Sequence, residues 1–236
     1  MIKQNIISLA FLTLFLTSVK AQEGINQLDD KGLRHGFWKK NFDKTKQPRY
    51  EGTFEHGKEV GVFKFYTLDR HKSVLSATRE FSKDHDTIKV KFFSSKGKVI
   101  SEGQMIGKNF IGKWIYYHNK TNAIMTVENY NSQGLLQGEK LVYYETGKLA
   151  EESYYNNGKI DGISKWFSKE GVVLKEFTYK DDELHGVSKY YNGDGQLLAE
   201  GAYKNDQKHG IWKFYENGIL KEEKDFTVRS KNPKKQ

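Results

Sequence analysis

The stretch GVSKYYNGDGQLLAEGAYKNDQKH, residues 186–209, is followed at once by GIWKFYENGILKEEKDF, residues 210–226. Laid one over the other, Gly186 falls on Gly210, Lys189 on Lys213, Tyr190 on Phe214 and Tyr191 on Tyr215. The same frame runs back through Gly162, Gly138, Gly112, Gly61 and Gly36, with Ile88 holding the place of one glycine. The starts are spaced 25, 27, 24, 26, 24, 24 and 24 residues apart. A period this steady marks a tandem-repeat architecture, here of eight units.

Each unit reads as a β-hairpin. Tyr-Glu-Asn-Gly at 215–218 and Tyr-Glu-Thr-Gly at 144–147 are turn signals between apolar or aromatic runs, and Tyr-Asn-Asn-Gly at 155–158 closes the gap to the next unit. Helical periodicity is lacking after residue 21, so the chain is expected to be all-β. Counting each opening residue as position zero, Lys recurs at +3 (Lys39, Lys64, Lys91, Lys165, Lys189, Lys213). Glu recurs at +14 (Glu102, Glu152, Glu176, Glu200), and an aromatic at +5 in every unit but the first, which has Asn41. A turn centred between +8 and +9 pairs positions summing to 17. Lys189 then faces Glu200, Lys165 faces Glu176 and Lys91 faces Glu102. Gly186 faces Tyr203, Gly162 faces Tyr179 and Gly138 faces Tyr155. One extra residue in the first unit and one missing in the last move both partners together: Lys39 with Glu51 and Gly36 with Phe54; Lys213 with Glu223 and Gly210 with Phe226. Opposite charges across an antiparallel pair add about 0.2–1 kcal/mol. An aromatic opposite each glycine is expected to cover the hole that glycine leaves. Eight hairpins at about 4.8 Å per strand predict a sheet on the order of 80 Å long.

Composition bounds the function. The chain has 236 residues, no Cys, two Pro, 39 Lys+Arg, 30 Asp+Glu, and 15 Phe, 14 Tyr and four Trp. Without Cys there is no disulfide scaffold, no thiol nucleophile and no Cys-ligated metal. The aromatic content excludes a solvated coil. Residues 1–21, MIKQNIISLAFLTLFLTSVKA, have a basic Lys3, an apolar run from Ile6 to Leu16 and a small-residue site at Val19-Lys20-Ala21, the pattern of a cleaved signal peptide. The run is shorter than the ~20 residues that span a bilayer. With no Cys to lipidate, the expected product is not a lipoprotein but an exported periplasmic or surface protein. Loss of Lys3 and Lys20 lowers the formal charge from +9 to +7. Export argues against a nucleic-acid partner. The expected organisation is a signal peptide (1–21), a repeat array (22–226) and a basic tail (227–236) bearing Arg229, Lys231, Lys234 and Lys235.

The pattern Gly-x-Trp-x-x-Tyr-x-x-x-Gly-x-Leu-x-x-Glu-x-x-Tyr resembles the MORN repeat in its bacterial variant form. It is clearest at Gly210–Leu220 and nearly as clear at Gly186–Tyr203, and it extends over residues 24–226. The resemblance implies an elongated, single-layer, twisted antiparallel sheet. It also implies a role in protein interaction or membrane association, with some bacterial members labelled antitoxin-like. No catalytic residues come with the repeat. The chain departs from the pattern over 61–137, where the unit at Gly61 is stretched, Ile88 lacks its glycine and His118–Ile124 replaces a tidy turn.

Chemistry beyond the repeat is sparse. His35, His185 and His209 each precede an opening glycine. Equivalent positions in adjacent hairpins lie ~10 Å apart, whereas zinc ligands sit ~2.1 Å from one ion, so no metal site is expected. The Glu ladder (Glu51, Glu102, Glu152, Glu176, Glu200, Glu223) recurs from unit to unit and is scaffold rather than a glycosidase pair. No nucleophile elbow, phosphate loop or dinucleotide fingerprint occurs, and neither enzyme activity nor a cofactor is expected. An unrecognised site would have to sit in 61–137, with His71, His85 or His118 meeting an acid in a pocket. The aromatics come in pairs at +4 and +5: Tyr116 and Tyr117, Trp166 and Phe167, Tyr190 and Tyr191, Phe214 and Tyr215. One of each pair should point to either face; stacking on one another along the sheet is the favoured reading of them, and a candidate interaction surface is the functional one. The expected function is an exported, non-enzymatic scaffold binding a protein at the cell envelope. The alternative is attachment to an anionic lipid surface through basic face and tail.

Overall fold

The structure, a computed structural model, describes residues 24–227. The signal-segment reading and all of the basic tail beyond Thr227 lie outside the described residues. Eighteen strands follow one another: β1 Gln27–Leu28, β2 Arg34–Asn41, β3 Pro48–Glu55, β4 Lys58–Asp69, β5 Lys72–Phe81, β6 Thr87–Phe93, β7 Val99–Ile106, β8 Asn109–Tyr117 and β9 Ile124–Tyr130. They continue with β10 Gly138–Tyr143, β11 Leu149–Asn156, β12 Lys159–Ile160, β13 Gly162–Phe167, β14 Val173–Lys180, β15 Glu183–Tyr191, β16 Leu197–Lys204, β17 Gln207–Glu216 and β18 Ile219–Asp225. Each strand pairs antiparallel with the next, and β12 and β13 form one strand broken at Asp161. The result is the all-β, open, single-layer sheet of hairpin repeats that the sequence predicts.

The predicted register holds. Lys189 pairs with Glu200 and Gly186 with Tyr203; Lys165 with Glu176 and Gly162 with Tyr179; Gly138 with Tyr155; Lys91 with Glu102. Both length-altered hairpins obey it as well, with Lys39 opposite Glu51 and Gly36 opposite Phe54, and Lys213 opposite Glu223. Phe226 lies just past β18, and its N–H donates to the Gly210 carbonyl at 2.8 Å.

The reason for the opening glycines differs from the expected one. Six of the seven have φ between +60° and +115°, and Gly162 has +124°. A Cβ on Gly36, Gly61, Gly138 or Gly210 would meet nothing within 4 Å. No ring covers them; they are glycines because the backbone is left-handed there. The kink lets the pairing slip between hairpins: Glu200 pairs with Lys213 but Ala202 with His209, so Gly201 alone faces 210–212. The aromatic-over-glycine packing falls at a different set. A Cβ on Gly52 would lie 2.4 Å from the Phe63 ring, on Gly103 2.4 Å from Trp114, and on Gly201 2.3 Å from Trp212. Where a ring is instead supplied by the earlier strand, as at Phe177, its partner at the next +2 is the small Ser188. The core is thus built by trading volume between neighbouring strands.

Candidate functional site

The two faces of the sheet have different fates. One carries positions +2 and +4. Phe63, Val90, Trp114 and Trp212 at +2 are all within 1% of complete burial, and Ser164 and Ser188 are fully buried. A single layer buries these side chains by laying rings over one another. Trp166 meets Phe177 at 5.2 Å between centroids, and Phe177 meets Tyr190 at 5.1 Å. Trp212 then touches Tyr190, Tyr203, Phe214 and Phe226. The Lys208 ammonium sits 4.1 Å above the Trp212 ring, and the indole N–H donates to the Ala202 carbonyl at 3.0 Å. Further clusters form around Phe63 and around Trp114.

The opposite face carries +1, +3 and +5. Its centre is one unbroken row of direct cross-strand partners. The row runs Lys39, Glu51, Lys64, Thr78, Lys91, Glu102, Ile115, Val127, Leu141, Glu152, Lys165, Glu176, Lys189, Glu200, Lys213, Glu223. The ion pair Lys91–Glu102 closes to 2.9 Å and Lys64–Glu51 to 3.5 Å. The +5 tyrosines complete the ladder. Tyr66, Tyr117 and Tyr215 each donate their hydroxyl to the Glu of the preceding unit: Glu51 at 2.7 Å, Glu102 at 2.5 Å and Glu200 at 2.8 Å. The Tyr117 hydrogen bond and then Lys91 hold the Glu102 carboxyl below its usual range. Burial and the carboxylate acceptor push Tyr66 and Tyr117 up to about 12.

The eight candidate aromatics therefore do not form one surface. Tyr116, Trp166, Tyr190 and Phe214 lie on the ring-packed face, whereas Tyr117, Phe167, Tyr191 and Tyr215 lie on the ladder face. The bulge between +4 and +5 preserves this division because its extra residue sits on the returning strand. Tyr190 pairs with Ala199 and Tyr191 with Leu197, leaving Leu198 unpaired.

Over β8–β10 the ladder face turns apolar, and over β9–β11 the opposite face gains charged residues. Ile115, Val127 and Leu141 replace the charges of the ladder, and Val127 is only 8% exposed. On the other face Glu128 accepts from the Tyr130 hydroxyl at 2.6 Å and pairs with Lys140 at 3.5 Å, while Ser153 donates to Glu151. Burial, then the bond to Glu128, raises Tyr130 far above its ordinary value. This inversion begins inside the stretch whose sequence departs from the repeat and continues past its end. It was visible in the sequence as Ile115 and Leu141 standing where other units have Lys.

Of the irregular-region histidines, His118 Nε2 contacts the Tyr143 carbonyl at 2.9 Å, and His71 is exposed in a left-handed turn. His85 lines an open groove of about 590 Å³ with Glu55, Glu59 and Asp86, without hydrogen-bonding to an acid among the described residues. A cluster that the sequence reading did not anticipate lies at the amino-terminal end. Asp29, His35 and His56 bring one ligand atom each within 4.8 Å of one another. Comparing only equivalent positions missed it, because the three residues come from inequivalent ones. The available signal was His56 itself, standing at the left-handed turn position that Asn157, Asp181 and Asn205 occupy elsewhere.

Comparison with known proteins gives one result. The family model described as "MORN repeat variant" matches residues 136–157, 160–181, 184–205 and 208–227, four consecutive repeats in the frame derived above. No curated protein matches the chain. MORN repeats are a non-catalytic repeat type that generally serves protein or membrane interaction. The hairpins of residues 34–130 continue the matched repeats in the same register and the same sheet. Residues 136–227 are four tandem MORN repeats of the variant type, set in a sheet whose earlier hairpins keep the same frame.

Proposed function

We propose that the protein is an exported, non-enzymatic scaffold that binds a partner protein at the cell envelope, and that the ladder face is its docking surface. The observation that carries this is a column of apolar +1 residues left in solvent. Phe37, Val62, Ile163, Val187 and Ile211 are between 39% and 59% exposed, while the aromatics behind them are consumed by packing on each other. In the carboxy-terminal units this column runs beside the Lys–Glu row and the +5 aromatics. It offers a partner apolar contact at ~10 Å intervals between charges of alternating sign, a surface suited to register-specific recognition. Export rests on the residue 1–21 pattern.

Purified mature protein is immobilised and used to capture envelope protein, with Val187→Asp and Ile211→Asp as variants on the ladder face. Both sites are exposed, so the fold survives, and capture of one dominant protein is lost. Undiminished capture by the double variant places docking elsewhere. Attachment to an anionic lipid surface is the competing reading. The ladder row alternates in sign and offers no basic stripe, so that reading falls to the tail. It would show as liposome binding that collapses with salt, since exposed charges are screened over ~8–10 Å.

A further inference from the structure

We infer that Asp29, His35 and His56 form a binding site for a single divalent transition-metal ion of the Zn(II) class. His56 Nδ1 lies 2.7 Å from Asp29 Oδ2. The two imidazole centroids are 4.8 Å apart, and the His35 Nδ1 lone pair faces the His56 backbone N–H at 3.5 Å. In a tetrahedral site with bonds of about 2.1 Å, ligand atoms stand about 3.4 Å apart. The observed separations, 2.7 Å at the closest and 4.8 Å at most, bracket that value. The ion takes the place of the contact between His56 Nδ1 and Asp29 Oδ2, with the imidazole proton carried on Nε2.

The ligands are held by backbone that is already ordered. Asp29 uses its other oxygen, Oδ1, to accept the N–H groups of Lys31 and Leu33 at 3.0 and 2.9 Å, which fixes its carboxylate in the turn before β2. Its side chain is only 9% exposed. His35 lies in β2, opposite Gln27 of β1. His56 sits in the β3–β4 turn, and Gly57 ties that turn to β2 by donating to the Arg34 carbonyl at 2.8 Å. The turn explains why the histidine is informative. Its φ is +48°, shared with Asn157 at +48°, Asp181 at +51° and Asn205 at +50°. In the corresponding place of a later unit, His185 faces Asn205 at 3.3 Å and no third ligand joins them. Among the described residues, this is the one place where three His, Asp or Glu side chains bring ligand atoms within 4.8 Å of one another. Two imidazoles and one carboxylate suit borderline ions such as Zn(II) over Ca(II) or Mg(II). Three protein ligands leave one coordination position open, and His56 also lines the open groove with Lys83 and His85.

The test is isothermal titration of the mature, metal-stripped protein with Zn(II), repeated for His56→Asn, Asp29→Asn, His35→Gln and His185→Gln. His56→Asn installs the residue that other turns already use, and Asp29→Asn keeps the turn, so both fold. One ion per chain is expected. Each of the first three changes weakens binding about tenfold or more, and His185→Gln leaves it unaltered. Melting with and without Zn(II) gives a second readout: the metal raises the midpoint of the parent and not of His56→Asn. A purely structural Asp29–His56 latch would lower the metal-free midpoint in the variants with no zinc-dependent shift in the parent, and that result overturns the site. So does binding that survives all three substitutions, or no binding at all.

Discussion

Trading volume between strands makes a sharp prediction at Gly201 and Trp212. Gly201 lies in extended backbone, and a Cβ there would sit 2.3 Å from the Trp212 ring. The ring cannot retreat: it is fully buried, its N–H is held by Ala202, and Lys208 closes over it. Gly201→Ala is therefore an overpacking change that costs about 1–3 kcal/mol. Trp212→Ser empties the same space and costs on the order of 3–5 kcal/mol. One unit earlier the fold solves the same problem the other way round, with the ring of Phe177 between Ser164 and Ser188. Gly201→Phe combined with Trp212→Ser rebuilds that arrangement. The pair should be more stable than the sum of its singles, by a coupling of about 0.5–3 kcal/mol. Urea unfolding followed by circular dichroism measures it, with hydrogen exchange of the 199–214 amides to localise the loss. An effect of Gly201→Ala within ±0.5 kcal/mol, or strict additivity of the pair, would refute the reasoning.

Other consequences follow from the same geometry. Lys91 and Glu102 are the ladder's isolated pair, flanked by Thr78 and Ile115. Lys91→Glu and Glu102→Lys should each destabilise by roughly 0.2–1 kcal/mol and largely cancel when combined, whereas swapping Lys189 with Glu200 should recover little because Glu176 and Lys213 then face like charges. The Ser164 and Ser188 hydroxyls are buried without a partner among the described residues, so Ser188→Ala should raise stability by about 1 kcal/mol; a loss would reveal an acceptor for the hydroxyl. Tyr66 and Tyr117 are raised to about 12 from an ordinary 10. The stabilisation they give is complete below pH ~10 and is lost as pH climbs toward ~12, where the unfolded chain has released the proton and the native one has not. Denaturation midpoints of Tyr117→Phe should fall less steeply across that window than those of the parent, and parallel curves would exclude the tyrosine as a contributor.

Much of the fold was legible because the repeat fixes phase. Once Gly186 and Gly210 are aligned, the recurrence of Lys at +3 and Glu at +14 sets strand register, and a one-residue slip would put every such pair on opposite faces. The role of the opening glycines was less legible. A missing side chain and a positive φ look identical in sequence, and only the backbone shows that Gly210 is a kink while Gly201 is a hole. The division of the +4 and +5 aromatics followed from strand alternation. Which face is consumed by packing did not, because it depends on rings such as Phe177 and Phe226 reaching across from neighbouring strands. The Asp29, His35 and His56 cluster was hidden for a related reason: it joins a turn, a strand and a second turn that repeat alignment treats as unrelated positions.

The central claim is that all eight hairpins form one unbroken sheet, including the units at 36–130 that precede the matched repeats. Because the chain has no native cysteine, pairs introduced along the ladder row test it directly. Directly opposed residues have Cα atoms about 4.5–5.5 Å apart, within the range a disulfide spans. Cysteine pairs at 78 and 91, 115 and 127, 127 and 141, and 152 and 165 should each oxidise to an intramolecular disulfide in the folded protein. The pair at 127 and 142, whose side chains point to opposite faces, should remain reduced. Failure of the 127–141 pair while 127–142 closes would contradict the register at the join between the two halves of the sheet.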